Sequence, residues 1–263
     1  MPPITLTTDF GPAGRYVAQM KGVLLSLCPE AKLVDLSHEI PPQDIGAGAK
    51  LLREAAPYYR EGTVHLAVID PGVGTERAIV AIDALGQRFI GPDNGLFGWL
   101  KNESPQMVTL DPAKIGVTAS SNTFHGRDLM APAAARLATG AALLELGSET
   151  DSLVLLMEAP QPVFGEKRIE GCVVEVDHYG NLITNVPGDA LNDAPHGDAL
   201  RIRCDEHFTL GLQQTYGDHP PQTLIALVGS GGMVELAIVN GDAAAMLRAK
   251  QGDAVYLSWE PTN

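Results

Sequence analysis

The stretch VHLAVIDPGVGTER, residues 64–77, decides the fold of the first half of the chain. Residues 64–69 are almost all apolar, which is typical of a parallel strand buried on both faces of a sheet. An Asp, a Pro and two glycines follow, so the backbone turns sharply where the strand ends. Ligands bind outside the carboxyl ends of strands in open parallel sheets. The stretch therefore predicts an α/β fold with a site around Asp70 and Arg77.

Strands and helices alternate on either side of this stretch. The predicted strands lie at residues 4–8, 33–36, 64–69, 79–82 and 88–90. One predicted helix places Val17, Met20, Leu24 and Leu27 on a single face, one begins at the N-cap candidate Asp44, and one begins at Asp128. This rhythm predicts a mainly parallel sheet flanked by helices over residues 1–156.

The pattern changes after residue 156. The stretch MEAPQPVFGEKR, residues 157–168, is rich in proline and charge and is typical of a linker. Beyond it, turns separate short apolar stretches, and the predicted strands lie at residues 171–176, 182–184, 199–203, 223–228, 233–239 and 254–258. Residues 169–263 therefore predict a smaller all-β domain, resembling a barrel or a sandwich.

Composition excludes several classes of function. The 263 residues carry a formal net charge of −14, which argues against nucleic acid as a partner because phosphate binding needs clustered Lys and Arg. An apolar run of roughly 18 residues, which a membrane span requires, is missing. Cys28, Cys172 and Cys204 form no metal-binding pair and indicate reduced thiols. The N-terminus MPPITLTTDFG lacks the features of a signal peptide, so we expect a cytoplasmic location.

Four segments of the first domain each place a polar residue after a strand and beside a glycine. They are TTDFG (7–11), VIDPGVGTER (68–77), IGPDNGLF (90–97) and TFHGRD (123–128). Asp residues at strand ends also serve as turn formers and helix caps, so any one of them has a structural explanation. Several such residues at one edge of a sheet, together with His125, favour a site.

Asp70, Arg77 and His125 are the candidate catalytic residues. Arg77 lies seven residues after Asp70, across a turn long enough to fold back, and an Arg beside a carboxylate keeps it ionised. The alternative is a surface ion pair. His125 precedes a glycine and a helix start, which suits an acid–base role, although a lone His is also common as a structural residue.

The second domain carries candidate ligand-binding residues in VDHYGNLITN (176–185) and VGSGGMVELAIVNG (228–241). Asp177 can accept from an ammonium group, Tyr179 offers a ring for stacking, and Asn181 has the donor and acceptor that suit an adenine edge. Ser230 begins a glycine pair that can present backbone amides to a carboxylate. Both segments are equally compatible with simple hairpin turns.

Taken together, these segments resemble the S-adenosylmethionine (SAM) hydroxide adenosyltransferase family, whose halogenating relatives are the fluorinases and chlorinases. The resemblance rests on the order of TTDFG, DLSHEIPPQDI (35–45), VIDPGVGT, GPDNGL, TFHGRD and VDHYGNLITN, and covers almost the whole chain. It implies hydrolysis of SAM to adenosine and methionine without metal or added cofactor. It also implies a homotrimer in which the β domain completes the SAM site of a neighbouring subunit.

The resemblance also implies roles for individual residues. Asp70, Arg77 and His125 match the set proposed to hold and activate the water, and Asp9 matches the carboxylate that binds the ribose diol. The remaining substrate-binding candidates are Asn94, Asp177, Tyr179, Asn181, Ser230 and Glu235, of which Asp177 and Ser230 match the methionine end and Tyr179 and Asn181 the surroundings of adenine.

Three departures from the halogenating relatives bear on the reaction. Gly126 stands where a fluorinase has Ser, Gln43 stands near the ribose where fluorinases have an aromatic residue, and Gly231 stands where they have Arg. Asp70 and His125, which the halogenating relatives lack, are present, and this favours water over halide as the nucleophile.

Other functions stay open on the sequence alone. One is a halogenase-like, SAM-dependent adenosyltransferase. Another is a metal-dependent hydrolase, with ligands drawn from Asp9, Asp70, Asp93, His125 and Asp128. A third is a module that binds adenosine or SAM without catalysis.

Overall fold

The computed structural model describes residues 1–118, 120–157, 160–195 and 197–259. The chain forms two compact units, Met1–Leu156 and Met157–Asn263. The first unit mixes strands and helices, whereas the second consists mostly of strands. In the described part of the chain, we find no helix that is both long enough and apolar enough to cross a membrane.

The elements of the first unit begin with a strand close to the N-terminus. Its strands are β1 Ile4–Thr8, β2 Leu33–Ser37, β3 Val64–Val68, β4 Ile79–Ala84, β5 Gln87–Pro92, β6 Gln106–Leu110 and β7 Gly147–Glu149. Its α-helices are α1 Arg15–Leu27, α2 Ile45–Ala55, α3 Pro112–Ile115 and α4 Ala131–Ala138. As predicted, Asp44 caps α2, since its side chain accepts from the Ala47 N–H at 2.9 Å.

The sheet of the first unit has the strand order β2-β1-β3-β5-β4-β6-β7. β1 pairs in parallel with β2 and β3, and β3 pairs in parallel with β5. β5, β4, β6 and β7 pair with one another antiparallel. The predicted α/β class is confirmed, but the sheet is mixed and not mainly parallel. The reason is a tight hairpin between β4 and β5, in which Leu85 and Gly86 have φ angles of 56° and 69°.

Alternate residues of β3 enter two separate cores on the two faces of this sheet. Leu66 and Val68 belong to a core that also contains residues of α1 and α4. Ala67 and, directly after the strand, Ile69 belong to a core that contains Leu52 of α2. Burial on both faces explains why the sequence of this strand is almost continuously apolar.

Two helix details differ from the predictions. Leu27 is 54% exposed, whereas the next residue, Cys28, is buried and completes the apolar face of α1. The helix predicted to open at Asp128 begins earlier, because a π-helical turn, Gly126–Met130, leads directly into α4. Asp128 therefore lies inside a helical turn and not at a cap.

The second unit is built from antiparallel strands, as the predicted all-β character requires. They are β8 Val163–Gly165, β9 Arg168–Val176, β10 Leu182–Pro187, β11 Leu200–Cys204, β12 His207–Leu210, β13 Leu224–Val228, β14 Met233–Ile238 and β15 Ala254–Trp259, and a short helix, α5 Ala243–Leu247, precedes β15. The strand order is β12-β11-β15-β9-β10-β14-β13. A bridge between Gln213 and Leu227 links the chain beyond β12 to β13, so the sheet approaches a barrel.

The stretch 157–168, predicted as a linker, includes a strand of the second unit. Val163–Gly165 turns back through Glu166 and Lys167 and pairs antiparallel with Arg168–Glu170 at the start of β9. A hairpin with a polar two-residue turn therefore lies where proline and charge suggested irregular chain. Residues 158 and 159 of this stretch lie outside the described residues.

Candidate active site

Asp70 lies just beyond the carboxyl end of β3, where the chain leaves the sheet. The turn that follows is closed by backbone bonds from the Val73 N–H to the Asp70 carbonyl (3.2 Å) and from the Thr75 N–H to the Gly72 carbonyl (3.2 Å). This turn brings Arg77 back onto Asp70. Arg77 Nε donates to Asp70 Oδ1 at 2.8 Å, and Arg77 Nη2 donates to Asp70 Oδ2. The pair is bidentate, which fixes the orientation of both side chains.

The Asp70–Arg77 pair is shielded from solvent. The side chains of Asp70 and Arg77 are 4% and 11% exposed. The surface ion pair that the sequence left open is therefore not what the structure contains. Because both charges have lost most of their water, each depends on the other for compensation.

His125 completes a hydrogen-bonded set with this pair. Its Nδ1 lies 3.2 Å from Arg77 Nη2. A guanidinium can only donate, so Nδ1 accepts, and a neutral ring then carries its hydrogen on Nε2. Burial and the positive charge of Arg77 lower the pKa of His125, while Asp70 and Asp128 oppose the shift. The ring is therefore neutral at pH 7, and Nε2–H is its donor.

The backbone around His125 packs directly against the strand that carries Asp70. A Cβ atom at Gly126 would lie 3.2 Å from Val68 Cγ1 and 3.3 Å from Met20 Sδ. The missing side chain therefore lets the π-helical turn approach β3 closely. Single π-helical turns of this kind occur often at functional sites.

The two loops that carry the site also contact each other. Gly74 has a φ angle of 80°, and a Cβ atom there would overlap the carbonyl oxygen of Asn122. Glycine is therefore needed both for the backbone conformation and for the close approach. This contact fixes the turn after Asp70 against the segment that leads to His125.

Asp70 and His125 line a small cavity of about 40 Å³. Apolar side chains, among them Phe10, Val68 and Phe124, form other parts of its wall. A buried water needs about 10–15 Å³ of accessible space and several polar partners. The cavity thus has room for one or a few waters beside a carboxylate and an imidazole, and it is too small for a nucleoside.

Two other candidates of the first unit lie at neighbouring strand ends. Asp9 follows β1, and its Oδ2 accepts from the Gln43 N–H at 2.8 Å. Asn94 follows β5, donates from Nδ2 to the Ile69 carbonyl at 2.9 Å, and accepts from the Leu96 N–H at 3.3 Å. Asn94 therefore ties the loop after β5 to the residue that precedes Asp70.

In the second unit, Asp177 organises a tight turn between β9 and β10. Its Oδ1 accepts from the N–H groups of Tyr179 (2.8 Å) and Asn181 (2.9 Å), and its Oδ2 accepts from Asn181 Nδ2 at 2.8 Å. The turn that the sequence allowed is therefore present. It leaves the Tyr179 side chain 76% exposed, while Asn181 is buried.

Glu235 and Ser230 lie on and beside the β13–β14 hairpin. Glu235 is buried, and its Oε2 accepts from the Tyr216 hydroxyl at 2.9 Å. Burial, the hydrogen bond to Glu235, and the charges of Glu235 and Asp177 raise the pKa of Tyr216 to about 12. Ser230 lies exposed at the tip of the hairpin, where the Gly232 N–H donates to the Gly229 carbonyl at 2.9 Å.

Tyr216 was missed in the sequence because no motif surrounds it. It lies in a short 3₁₀ turn, Tyr216–Asp218, within an irregular stretch between β12 and β13. Its position near two candidate carboxylates depends on the sheet register, which pairs Leu227 with Glu235. An aromatic residue in a turn was the only sequence signal.

Two domain models of one known family match most of the chain. Models described as the N-terminal and C-terminal domains of SAM hydroxide adenosyltransferase match residues 4–147 and 171–256. The chain belongs to this family. The resemblance that the ordered motifs indicated is therefore confirmed.

Relatives within this family include hydrolases and halogenating enzymes. A Thermus thermophilus protein named (R)-S-adenosyl-L-methionine hydrolase is 39% identical over 267 residues, spanning 98% of this chain and 100% of the relative. A protein named fluorinase from Actinopolyspora mzabensis is 28% identical over 290 residues, spanning 98% and 97%. A crystal structure of an uncharacterized conserved protein from Thermotoga maritima matches with a TM-score of 0.88 at 30% identity, covering 97% and 99%.

Two of the candidate metal ligands, Asp128 and Asp93, accept hydrogen bonds from other groups of the protein. Asp128 accepts from the N–H groups of Ser120 and Ser121 and from Arg127, and Asp93 accepts from the Val154 N–H. Over the described ranges, no three His, Cys, Asp or Glu side chains lie close enough together to hold a metal ion.

The contacts of His125 predict how the ring titrates. Because burial and Arg77 lower its pKa, the ring is expected to stay neutral as the pH falls past 6.5, the ordinary value, with its hydrogen on Nε2. The acid limb of the kcat/KM profile should therefore lie below pH 6.5. Nitrogen NMR of the labelled imidazole, followed against pH, measures both the tautomer and the pKa. A ring protonated on Nδ1 at neutral pH would contradict the assignment.

Proposed function

We propose that the protein hydrolyses SAM, transferring the 5′-deoxyadenosyl group to water to give adenosine and L-methionine. The observation that carries this proposal is the hydrogen-bonded Asp70–Arg77–His125 set, two members of which, Asp70 and His125, line a cavity of the size of a few waters. A site that activates water needs a carboxylate or an imidazole beside a small space for the water, and the first unit provides both groups at such a space.

The substrate already contains a good leaving group. The sulfonium makes the ribose 5′ carbon electrophilic, and methionine departs as a neutral thioether that needs no general acid. The difficult partner is the nucleophile, because bulk water has a pKa of about 15.7. The protein therefore has to orient one water in line with the C5′–S bond and accept its proton.

The hydrogen-bond directions divide this work between the residues. The His125 Nε2–H can donate to the water oxygen and orient it, because Nδ1 already accepts from Arg77. Asp70 is the group that can accept the proton of the water. As the O–C5′ bond forms, the C5′–S bond breaks and its electron pair moves to sulfur. Arg77 holds the carboxylate in place through its two bonds to Asp70.

The remaining residues are proposed to bind the substrate. Asp9 suits the ribose diol, since two hydroxyls can donate to one carboxylate. Asp177 and Ser230 are assigned to the methionine end, Tyr179 and Asn181 to the adenine, and Asn94 and Glu235 to contacts with the substrate. We add Tyr216 to this set because it shares a hydrogen bond with Glu235. The carboxylates suit a substrate whose sulfonium and ammonium groups are positive.

The configuration of the substrate follows from the names of the relatives. In the name (R)-S-adenosyl-L-methionine, the label L already specifies the configuration of the α carbon, so the label R describes the configuration of the sulfonium sulfur. We propose that this chain likewise acts on the R epimer. Inversion at sulfur moves the methionine chain relative to the adenosyl group, so one pocket cannot hold both epimers equally well.

The proposal extends to the setting in which the reaction occurs. We propose that the enzyme works in the cytoplasm as a homotrimer, with SAM sites completed by the second unit of a neighbouring subunit. It needs no metal and no added cofactor in this proposal. Two observations support a site that draws on both units: the cavity is too small for a nucleoside, and the assigned binding residues are divided between the two compact units. The homotrimer itself is what the family resemblance implies.

The experiment is an assay with each SAM epimer separately, in buffer that contains EDTA. Adenosine and methionine should form from the R epimer at least about tenfold faster than from the S epimer, with ¹⁸O from labelled water in the adenosine. Intact SAM retained without products would identify a binding module. A 5′-halogenated nucleoside formed in excess chloride or fluoride would identify a halogenase, and loss of activity in EDTA would favour a metal-dependent hydrolase.

A further inference from the structure

The motif DLSHEIPPQDI, residues 35–45, takes no part in the reaction described above, yet it touches the loop that carries Asp9. It begins at the end of β2, which pairs with β1 in parallel. The carboxyl ends of β1 and β2 therefore bring this motif beside TTDFG, residues 7–11.

A chain of polar side chains links the two segments. Thr8 Oγ1 lies 2.9 Å from His38 Nδ1, and His38 Nε2 makes an ion-pair contact of 3.1 Å with Asp35 Oδ1. Asp35 also accepts from Lys21 Nζ at 2.6 Å. Thr8 is fully buried and His38 is 8% exposed, so water does not easily replace the bond between these two side chains.

For a neutral His38 ring, the neighbouring groups favour one direction for each contact in this chain. Asp35 Oδ1 lies close to His38 Nε2, although the angle there falls short of a hydrogen bond, and a neutral ring that faces this carboxylate carries its hydrogen on Nε2 and accepts through Nδ1. The Thr8 hydroxyl therefore donates to Nδ1, and its oxygen accepts from the Phe10 N–H at 3.3 Å. Thr8 thus holds the backbone of Phe10, the residue that follows Asp9.

Two further contacts hold the same loop. The Gly11 N–H donates to the His38 carbonyl at 2.8 Å. The Gln43 N–H donates to Asp9 Oδ2 at 2.8 Å, from a residue whose φ angle is 66°. A left-handed conformation at Gln is uncommon, and here it points a backbone donor at Asp9. The motif therefore holds the backbone beside Asp9 and the carboxylate itself.

We infer that Asp35 and His38 form a positioning pair that, through Thr8, fixes the Asp9 carboxylate where it receives the ribose hydroxyls of the substrate. The inference rests on the proposed function for the role of Asp9. His38 and Thr8 do not touch the substrate and act only through Asp9. Their loss is therefore expected to weaken recognition of the diol, not recognition of the nucleoside in general.

The same sheet contains a matched control. Thr5 Oγ1 lies 2.8 Å from His65 Nδ1, and both residues are fully buried. Thr5 belongs to β1, like Thr8, but lies three residues earlier and away from the Asp9 loop. Thr5→Val and Thr8→Val therefore remove the same kind of bond from the same strand, and only Thr8→Val affects the loop.

The test compares the binding of adenosine and 2′,3′-dideoxyadenosine to the full chain by calorimetry. We expect the wild-type protein to bind adenosine about tenfold or more tightly than the dideoxy compound. The reason is that losing a hydrogen bond to a charged group typically lowers affinity by about a factor of ten. This preference should fall at least about threefold in Thr8→Val and His38→Ala, and approach the value for Asp9→Ala. It should be unchanged in Thr8→Ser, which keeps the hydroxyl, and in Thr5→Val.

Three results of this binding test would overturn the inference. An unchanged preference in folded Thr8→Val and His38→Ala proteins overturns the inference, and so does an Asp9→Ala protein that keeps the full preference. An equal fall in Thr5→Val would also overturn it, because the effect would then come from general loosening of the sheet. Adenosine binding can be measured whether or not the protein hydrolyses SAM. If the protein left both SAM epimers intact but showed the expected preferences for adenosine, the proposed hydrolysis would fail and the inference about Asp35 and His38 would still be supported.

Discussion

Replacing Asp70 by Asn is expected to lower kcat for adenosine formation by about 100-fold or more, which is the range that a positioned acid–base group contributes. The amide keeps the size of the side chain but cannot accept a proton at pH 7. Its NH₂ group would also face the Arg77 guanidinium, which offers only donors. Steady-state adenosine release measured by chromatography checks the loss.

A carboxylate elsewhere in the same sheet serves as the control for Asp70. Asp83 of β4 lies 3.6 Å from Arg88 Nε in a partly exposed ion pair. Asp83→Asn should keep kcat within about twofold, because exposed pairs contribute little. An Asp70→Asn protein that is as active as Asp83→Asn would remove Asp70 from the mechanism.

Replacing Arg77 by Met is expected to reduce both activity and stability. The change leaves the nearly inaccessible Asp70 carboxylate without its cation, and breaking one side of such a pair costs about 3–5 kcal/mol. It also removes the donor to His125 Nδ1, so the orientation of the ring is lost. Urea unfolding measures the free energy, and the adenosine assay measures the activity.

Arg77→Lys separates the charge of Arg77 from its geometry. An ammonium keeps the compensation for Asp70 but cannot donate two parallel bonds to the carboxylate and a third bond to His125. We expect it to recover most of the stability and little of the activity. Full activity in Arg77→Lys, or unchanged stability in Arg77→Met, would contradict the role given to the bidentate pair.

Much of the fold was predictable because burial leaves a clear pattern in the sequence. The apolar run of β3 and the capping side chain of Asp44 each determine a local element, whatever the rest of the chain does. The antiparallel arrangement of β4 and β5 was not predictable in the same way. It depends on a two-residue turn with a left-handed Leu85, and a Leu is rare at such a position, so the sequence does not indicate a tight hairpin there.

The candidate site was predictable in part. Asp70 and Arg77 are close in sequence, so a turn that joins them could be inferred, and the structure shows the bond. His125 lies 48 residues beyond Arg77, and no periodicity links them; the family resemblance supplied that partner. The neutral ring and its Nε2 hydrogen depend on burial and on one contact, which only the folded chain provides. The substrate-binding roles of the other residues stay predictions.

The bidentate bond between Arg77 and Asp70 has a consequence for the electrical balance of a catalytic cycle. The formal charges of the Asp70 carboxylate, the Arg77 guanidinium and the neutral His125 imidazole sum to zero. SAM carries one net positive charge, whereas adenosine and methionine are both neutral overall. Each cycle must therefore export one hydrogen ion to the medium. Asp70, which accepts the proton of the water in the proposed mechanism, must therefore release it before it can serve a second water.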